Sequence, residues 1–322
     1  MAILIIGGAG YIGSHCNKLL HKKGFETIVL DDLSTGHKSS VKWGTFYKGD
    51  LGDRLLLKEI FTKHDVSCVM HFAAFAYVGE SVTNPSKYYH NNTAKVLNLL
   101  DQMVESGVNN FIFSSTCATY GVPKTERINE NHSQNPINPY GMSKFMVEKI
   151  LEDYDYAYGL KSVCFRYFNA AGSDPECEVG ECHDPETHLI PLVLDVAMGK
   201  RECITIFGDD YDTPDGTCIR DYIHVNDLSE AHILGINFLK SEKRSERFNL
   251  GNGQGFSVKE IIDACEQVTA CNINCKIGER RKGDPPMLVG DAHKAKDQLQ
   301  WEPMFRNIKT IIETAWGFHK AK

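Results

Sequence analysis

The run Gly7-Gly8-Ala9-Gly10-Tyr11-Ile12-Gly13, entered directly from the apolar stretch Ala2-Ile3-Leu4-Ile5-Ile6, constrains this chain more than any other feature. Gly7 permits a tight turn, Gly10 lets backbone approach a pyrophosphate, and Gly13 lets a helix pack closely on the strand. The open N–H groups of the helix N-terminus then face the anion, and Tyr11 and Ile12 belong to the same turn. A second apolar run, residues 26–30, ends in Asp31-Asp32. An acid roughly twenty residues past such a loop accepts ribose hydroxyls. Its charge repels a 2′-phosphate, so NAD is expected over NADP, and Asp32 strengthens the repulsion. Ser34, Thr35 and Gly36 follow in the same cofactor-facing segment. Asp50-Leu51 after a short strand is placed at the adenine edge. Phe72-Ala73-Ala74 ends another strand with small residues that let a flat dinucleotide cross the sheet.

Strands are predicted at 2–6, 26–30, 46–48, 67–72, 109–113 and 162–166, and helices at 12–23, 55–63, 85–105 and 139–158. Asn84 is placed as a cap and Pro85 in the first turn of the third helix. Short apolar strands alternating with helices indicate an α/β chain with a doubly wound parallel Rossmann-type sheet. At 322 residues the chain is long for a single core. Residues 1–168 are assigned to an NAD-binding Rossmann domain, to which the chain returns around 218–250, and residues 169–322 to a smaller C-terminal α/β substrate lobe. In that lobe, residues 170–188 read as an ordered loop and 207–217 as a second one. Helices are expected near 189–198, 227–239, 258–268 and 308–318.

The charge balance, −7 with no basic stripe, argues against a nucleic-acid partner. The cluster Glu279-Arg280-Arg281-Lys282 is too short and mixed to change that, but it suits a diphosphate. No segment approaches the ~18 apolar residues of a membrane span, and the apolar start is short and lacks a basic lead, so a cytoplasmic protein is expected. The 11 cysteines are scattered without a CxxC pair, so they read as reduced thiols and no metal site is expected.

Tyr140-Gly-Met-Ser-Lys144 stands in the helix predicted after Pro139. Residues four apart share a helix face, so the ammonium is expected to favour phenolate and lower the phenol pKa from about 10. A tyrosine so tuned takes a proton from an alcohol as hydride leaves its carbon. Alone, the spacing is common. The strand Phe111-Ile112-Phe113-Ser114-Ser115-Thr116 strengthens it, because its terminal hydroxyls fall at the ligand edge of a parallel sheet.

Residues 7–13, Asp31, Ser114-Ser115-Thr116 and Tyr140-x-x-x-Lys144, in this order, resemble the extended short-chain dehydrogenase/reductase family, and within it the nucleotide-sugar epimerases. The likeness continues through 71–74, 78–81, 166–169, 205–210 and 220–225 to Arg281 and Asp284, covering nearly the whole chain. It implies NAD-dependent oxidation at C4 of a UDP-sugar, rotation of the 4-keto intermediate and re-reduction, interconverting UDP-glucose and UDP-galactose. It implies that Thr116 and Tyr140 bracket the sugar O4 and that Lys144 holds the nicotinamide ribose. Asn91, Ser114, Tyr167 and Phe168 fall to the cofactor by the same resemblance. Asn169, His188, Leu189, Thr205, Ile206, Phe207, Arg220, Arg281 and Asp284 fall to the UDP-sugar. The two arginines make independent sense, since a diphosphate suits guanidinium forks. A homodimer through helices 85–105 and 139–158 is implied as well.

Ala76 departs from members that carry lysine there, which removes a polar hold on the cofactor. Leu288 stands where relatives carry tyrosine or a smaller residue, leaving N-acetylated sugars open. A dehydratase would need acids directly after Thr116, where Cys117 and Ala118 stand. An epimerase of UDP-N-acetylhexosamines or UDP-pentoses stays open. So does a non-catalytic NAD-binding regulator, although such proteins tend to lose the tyrosine or lysine kept here.

Overall fold

The computed structural model describes residues 1–281 and 284–322; Lys282 of the charge cluster lies outside them. The first half alternates β1 (Ala2–Ile6), α1 (Tyr11–Lys22), β2 (Glu26–Asp31), β3 (Thr45–Lys48), α2 (Arg54–Lys63) and β4 (Val66–His71). It continues with α3 (Val78–Thr83), α4 (Pro85–Tyr89), α5 (Lys95–Glu105), β5 (Asn110–Thr116), α6 (Pro139–Tyr158) and β6 (Lys161–Tyr167). The remainder holds β7 (Asn169–Ala171), α7 (Leu189–Ala197), β8 (Ile204–Phe207), β9 (Ile219–His224), α8 (Val225–Glu242) and β10 (Glu246–Leu250). Last come β11 (Gly255–Ser257), α9 (Val258–Thr269), β12 (Cys275–Gly278), β13 (Met287–Leu288), α10 (His293–Leu299) and α11 (Ile308–Ala321).

Seven parallel strands form one sheet in the order β10-β6-β5-β4-β1-β2-β3. The chain winds outward from β1 to β3, then crosses back to β4, so the switch point of a doubly wound sheet lies between β1 and β4. Ile6 O closes that edge by accepting both Phe72 N, at 2.8 Å, and Ala73 N, at 3.1 Å. The apolar runs are continuous because both sheet faces are covered. Ile3 and Ile5 pack with Cys16 and Leu20 of α1 and with Ile233 and Ile236 of α8. Leu4 and Ile6 face the other way, onto Leu57, Leu99, Met103 and Val147 of α2, α5 and α6. A third core joins α7, α9 and α11 through Val193, Leu194, Ile261, Cys265, Ile311 and Ile312. Small sheets serve this part: β11, β9 and β13 with β7 beside β9, and β12 beside β8.

Two local expectations change. The helix at 85–105 carries a π segment, His90–Ala94, between α4 and α5. The Asn92 side chain there binds Phe75 N and O and the Ser143 hydroxyl, tying the bulge to α6. Asn84 makes no side-chain cap, because the same residue ends α3, its N–H bonded to Glu80 O, and is drawn out of cap geometry. Pro85 does occupy the first turn. No helix among the described residues is long and apolar enough to cross a membrane.

Candidate active site

Gly10 precedes α1 with extended backbone, no side-chain cap and no acid in the first turn, so no side chain among the described residues caps the open N–H groups. Gly7 has φ +81°, and a Cβ there would meet Ala73 N at 2.5 Å; one on Gly13 would overlap Gly7 O. The turn is thus bare backbone pressed against the end of β4, a cradle that fits a pyrophosphate. Asp31 ends β2 and accepts Ala9 N and Leu33 N, each at 2.9 Å, one on each carboxylate oxygen. Each oxygen keeps a lone pair for a ribose hydroxyl. Burial raises the Asp31 pKa against those two bonds.

Ser34, Thr35 and Gly36 fold over the glycine turn: a Cβ on Gly36 would meet Ala9 at 2.9 Å, and His37 N binds Ala9 O at 3.0 Å. Ser34 N is fixed by Asp32 Oδ1 at 2.8 Å. Tyr11 reaches away to donate to Gly172 O at 2.5 Å, tying the turn to the 170–188 loop, while Ile12 packs on the first core. Changing Asp31 to asparagine is expected to cost about 1.5–3 kcal/mol of NAD binding and to narrow discrimination against NADP. Titration of cofactor-stripped protein with each dinucleotide measures both.

The remaining cofactor candidates line the same edge less uniformly. Asp50 is ion-paired to Lys95, and Leu51 is buried in the second core. Phe72 packs on His232, Ala73 on the second core, and Ala74 is half-buried. Asn91, in the π segment, donates to Asn92 Oδ1 at 3.1 Å. Ser114 and Tyr167 share a hydrogen bond across β5 and β6. Phe168 sits in a separate cluster with Cys117, Tyr120, Ile128 and Leu288. Ala76 is exposed.

Thr116 ends β5; its hydroxyl accepts Ala118 N at 3.1 Å and lies near enough to the Tyr140 phenol to favour its ionised form. α6 delivers that phenol because Asn138 caps it, accepting Gly141 N at 2.8 Å, and because Gly141 lies against β5's exit, where a Cβ would meet Ala118 O at 2.5 Å. The glycine inside Tyr-Gly-Met-Ser-Lys thus sets the approach of helix to strand, a signal the sequence reading passed over. One helical turn on, buried Lys144 donates from Nζ to Ser114 O at 2.7 Å and lies 4.9 Å over the Phe113 ring.

The electrostatics correct the sequence expectation. Burial pushes Tyr140 up to about 12, with only the neighbouring Thr116 hydroxyl pulling the other way. Burial also lowers Lys144 to about 7. The Lys144 ammonium is directed to the Ser114 carbonyl rather than to the phenol, and desolvation dominates both groups. Phenolate in this chain therefore needs added positive charge beside Tyr140. His71, buried at the end of β4 without hydrogen-bond partners among the described residues, is held neutral by burial and Lys144, its pKa near 3.

On the substrate side, Arg220 approaches Asp284 at 3.7 Å and donates to Pro285 O at 3.0 Å, while Arg281 pairs with Asp284 at 2.8 Å and lies over the Phe207 ring at 5.2 Å. Two guanidinium groups thus gather around one carboxylate. Asn169 on β7 lies in register with Tyr222 of β9. β8 separates its three candidates: Thr205 is half-buried and Phe207 exposed on one side, whereas Ile206 turns into the third core. Strand alternation leaves Ile206 only its backbone for a ligand. His188 precedes α7 with Nδ1 on Glu181, and Leu189 packs on the third core.

Asp221, which the sequence reading did not single out, is buried and accepts N–H bonds from Asn252, Gly253 and Gly290. It pins two loops under Arg220, and burial raises it to about 6. The His183–Glu186 stretch beside His188 likewise has no linear signature, because the loop's fold and not its spacing brings these side chains together.

A doubly wound sheet with an open glycine turn, an acid at the end of β2, and Tyr140 between buried Thr116 and Lys144 at the same edge defines a dinucleotide-dependent enzyme acting on an alcohol. A sequence model of the NAD dependent epimerase/dehydratase family matches residues 3–251, and the chain belongs to that family, with NAD as its cofactor. It is 52% identical over 320 residues to UDP-glucose 4-epimerase of Halalkalibacterium halodurans, covering 99% of this chain and 96% of the relative. A crystal structure of a UDP-glucose 4-epimerase superimposes with TM-score 0.98 at 51% identity, covering 100% of this chain and 98% of the other. UDP-glucose 4-epimerase from Brucella ovis in complex with NAD gives TM-score 0.96 at 48% identity, with coverage of 99% and 98%.

Proposed function

We propose that the chain is a UDP-glucose 4-epimerase, an isomerase that interconverts UDP-glucose and UDP-galactose. The observation that carries the reading is the convergence at the end of β5 of the Thr116 hydroxyl, which acts on the Tyr140 phenol, and of Lys144 one helical turn further along α6, held to Ser114 O at 2.7 Å. Bound NAD+ supplies the acceptor for the hydride at sugar C4 and the positive charge that lowers the phenol pKa. Tyr140 takes the O4 proton, Thr116 holds the oxygen in line, and Lys144 orients the ribose while fixed to Ser114 O. Arg220 and Arg281 hold the diphosphate, so the 4-keto sugar turns about its anchor without leaving. Hydride given back to the other face of C4 and the proton given back to O4 by Tyr140 would form the new alcohol, so net oxidation is zero.

In this reading residues 1–168, rejoined around 218–250, hold NAD, and residues 169–322 hold the UDP-sugar. β10 supports the return, since it pairs with β6 in the large sheet. The protein works in the cytoplasm as a homodimer; Leu97 on α5 and Met146 on α6 are exposed apolar residues that such an interface would cover. Leu288, half-buried against Phe168, bounds the sugar pocket.

Purified protein incubated with UDP-galactose and no added NAD is expected to form UDP-glucose. No product, with or without NAD, contradicts the reading. The same assay with UDP-N-acetylglucosamine and UDP-xylose ranks the sugars.

A further inference from the structure

The 170–188 loop gathers four side chains that the proposed reaction does not use together. Glu181, His183, Glu186 and His188 each bring one ligand atom, all within 4.8 Å of one another. His183 Nδ1 lies 3.2 Å from Glu181 Oε1 and 3.7 Å from Glu186 Oε2. His188 Nδ1 touches Glu181 Oε1 and stands 3.7 Å from Glu186 Oε1. The two imidazole rings meet edge to face with centroids 5.2 Å apart.

His183 Nδ1 is the informative atom. It is buried and makes no hydrogen bond of acceptable geometry, although two carboxylates stand beside it. A ring nitrogen set between two carboxylates without a well-formed bond to either marks the place where, with no ion present, a proton faces those anions and where a cation would take its place.

We propose that Glu181, His183, Glu186 and His188 form a binding site for one zinc ion. Two neutral imidazoles and two carboxylates are a donor set for this metal. A tetrahedral ion about 2.0–2.1 Å from each ligand separates the ligands by about 3.4 Å. The 3.2 and 3.7 Å separations from His183 Nδ1 bracket that value, the close His188–Glu181 pair must open, and the wider separations, up to 4.8 Å, must close. The charges also close, since a dication neutralises two carboxylates without protonating either ring.

The surrounding bonds orient the ligands, as outer contacts do in metal sites. Glu186 Oε1 accepts Thr187 N at 2.7 Å and His188 N at 2.9 Å, which leaves Oε2 toward His183. His37 Nε2 meets Cys182 O at 2.7 Å, and Tyr77 donates to Pro185 O at 2.8 Å. The Tyr11 ring stands edge-on to His183 with centroids 6.1 Å apart. An ion here fastens the 170–188 loop to the glycine turn and to the segment after β4. Its role is to hold the loop that carries His188, outside the hydride chemistry.

The test uses the whole chain, stripped with a chelator and then titrated with Zn2+ alone against a chromophoric competitor. One Zn2+ per chain is expected, bound at least 30-fold more weakly by His183→Asn/Glu186→Gln and about tenfold more weakly by His183→Asn alone. Thermal melting of the metal-free forms checks that each variant folds. X-ray absorption of the zinc-loaded wild type is expected to show a first shell of nitrogen and oxygen with imidazole scattering. Substoichiometric binding, equal binding by a folded variant, or sulfur in the first shell, which would place the ion on the cysteines, overturns the proposal.

Discussion

Replacing Tyr140 with phenylalanine is expected to lower turnover of UDP-galactose by roughly 10²- to 10⁴-fold, the usual worth of a positioned acid–base group. The change removes one oxygen and keeps the ring that packs between α6 and β5. Nothing else near O4 replaces it: Thr116 cannot ionise, Lys144 is committed to Ser114 O, and Cys117 is a buried thiol pushed up to about 12 by burial. The cofactor should stay, because Gly7, Gly13 and Asp31 are untouched. Turnover measured beside the amount of NAD released on denaturation separates the two effects. Near wild-type turnover would mean that another group carries the proton.

The largest stability loss is expected at Glu148, two turns of α6 beyond Tyr140. Its carboxylate is 1% exposed and receives Arg166 Nε at 3.0 Å, Arg166 NH2 at 2.5 Å, Ser115 Oγ at 2.5 Å and Gln134 Nε2 at 3.1 Å. Arg166 also donates to the Tyr120 hydroxyl at 2.9 Å, which donates to Asn249 Oδ1 at 2.7 Å. α6, β5, β6 and β10 meet in this one network. Glu148→Ala strands a buried guanidinium and should cost about 3–5 kcal/mol, read by urea unfolding. Removing both charges, as Glu148→Leu with Arg166→Met, should recover part of the loss.

Burial raises the Glu148 pKa, but Arg166 outweighs it and holds the carboxyl below its unfolded value of 4.5. The pair's stabilisation is therefore complete above pH 4.5 and fades as pH falls through the lower folded value. In the alanine variant that portion of the acid sensitivity should disappear. Because Ser115 adjoins Thr116, turnover should fall together with stability.

The large sheet was legible because each inner strand is an apolar run closed by a turn and followed by an amphipathic helix. The predicted limits of β1, β2 and β4 to β6 fall within three residues of the observed ones. β8 and β11 to β13 were not foreseen, since they run to only two to four residues and gain their pairing from distant segments. β12 shows why: Cys275, Lys276 and Ile277 are all exposed, so no alternation marks it.

Spacing brought Tyr140 and Lys144 to one helix face, yet spacing says nothing about which carbonyl captures the ammonium. Spacing also does not report how deeply the phenol is buried, and that burial reversed the expected direction of its pKa. Ile206 illustrates a similar limit, since its side chain faces the core while its strand neighbours do not. The glutamates and histidines of 181–188 carry no signature in linear order, because loop geometry alone brings them together.

The central claim is that hydride leaves C4 and returns to the same carbon while the sugar turns. UDP-galactose deuterated at C4, converted in ordinary water, tests it directly. The account predicts UDP-glucose with deuterium still at C4 and none released to solvent. Washout of the label into water, with product formed, would contradict it.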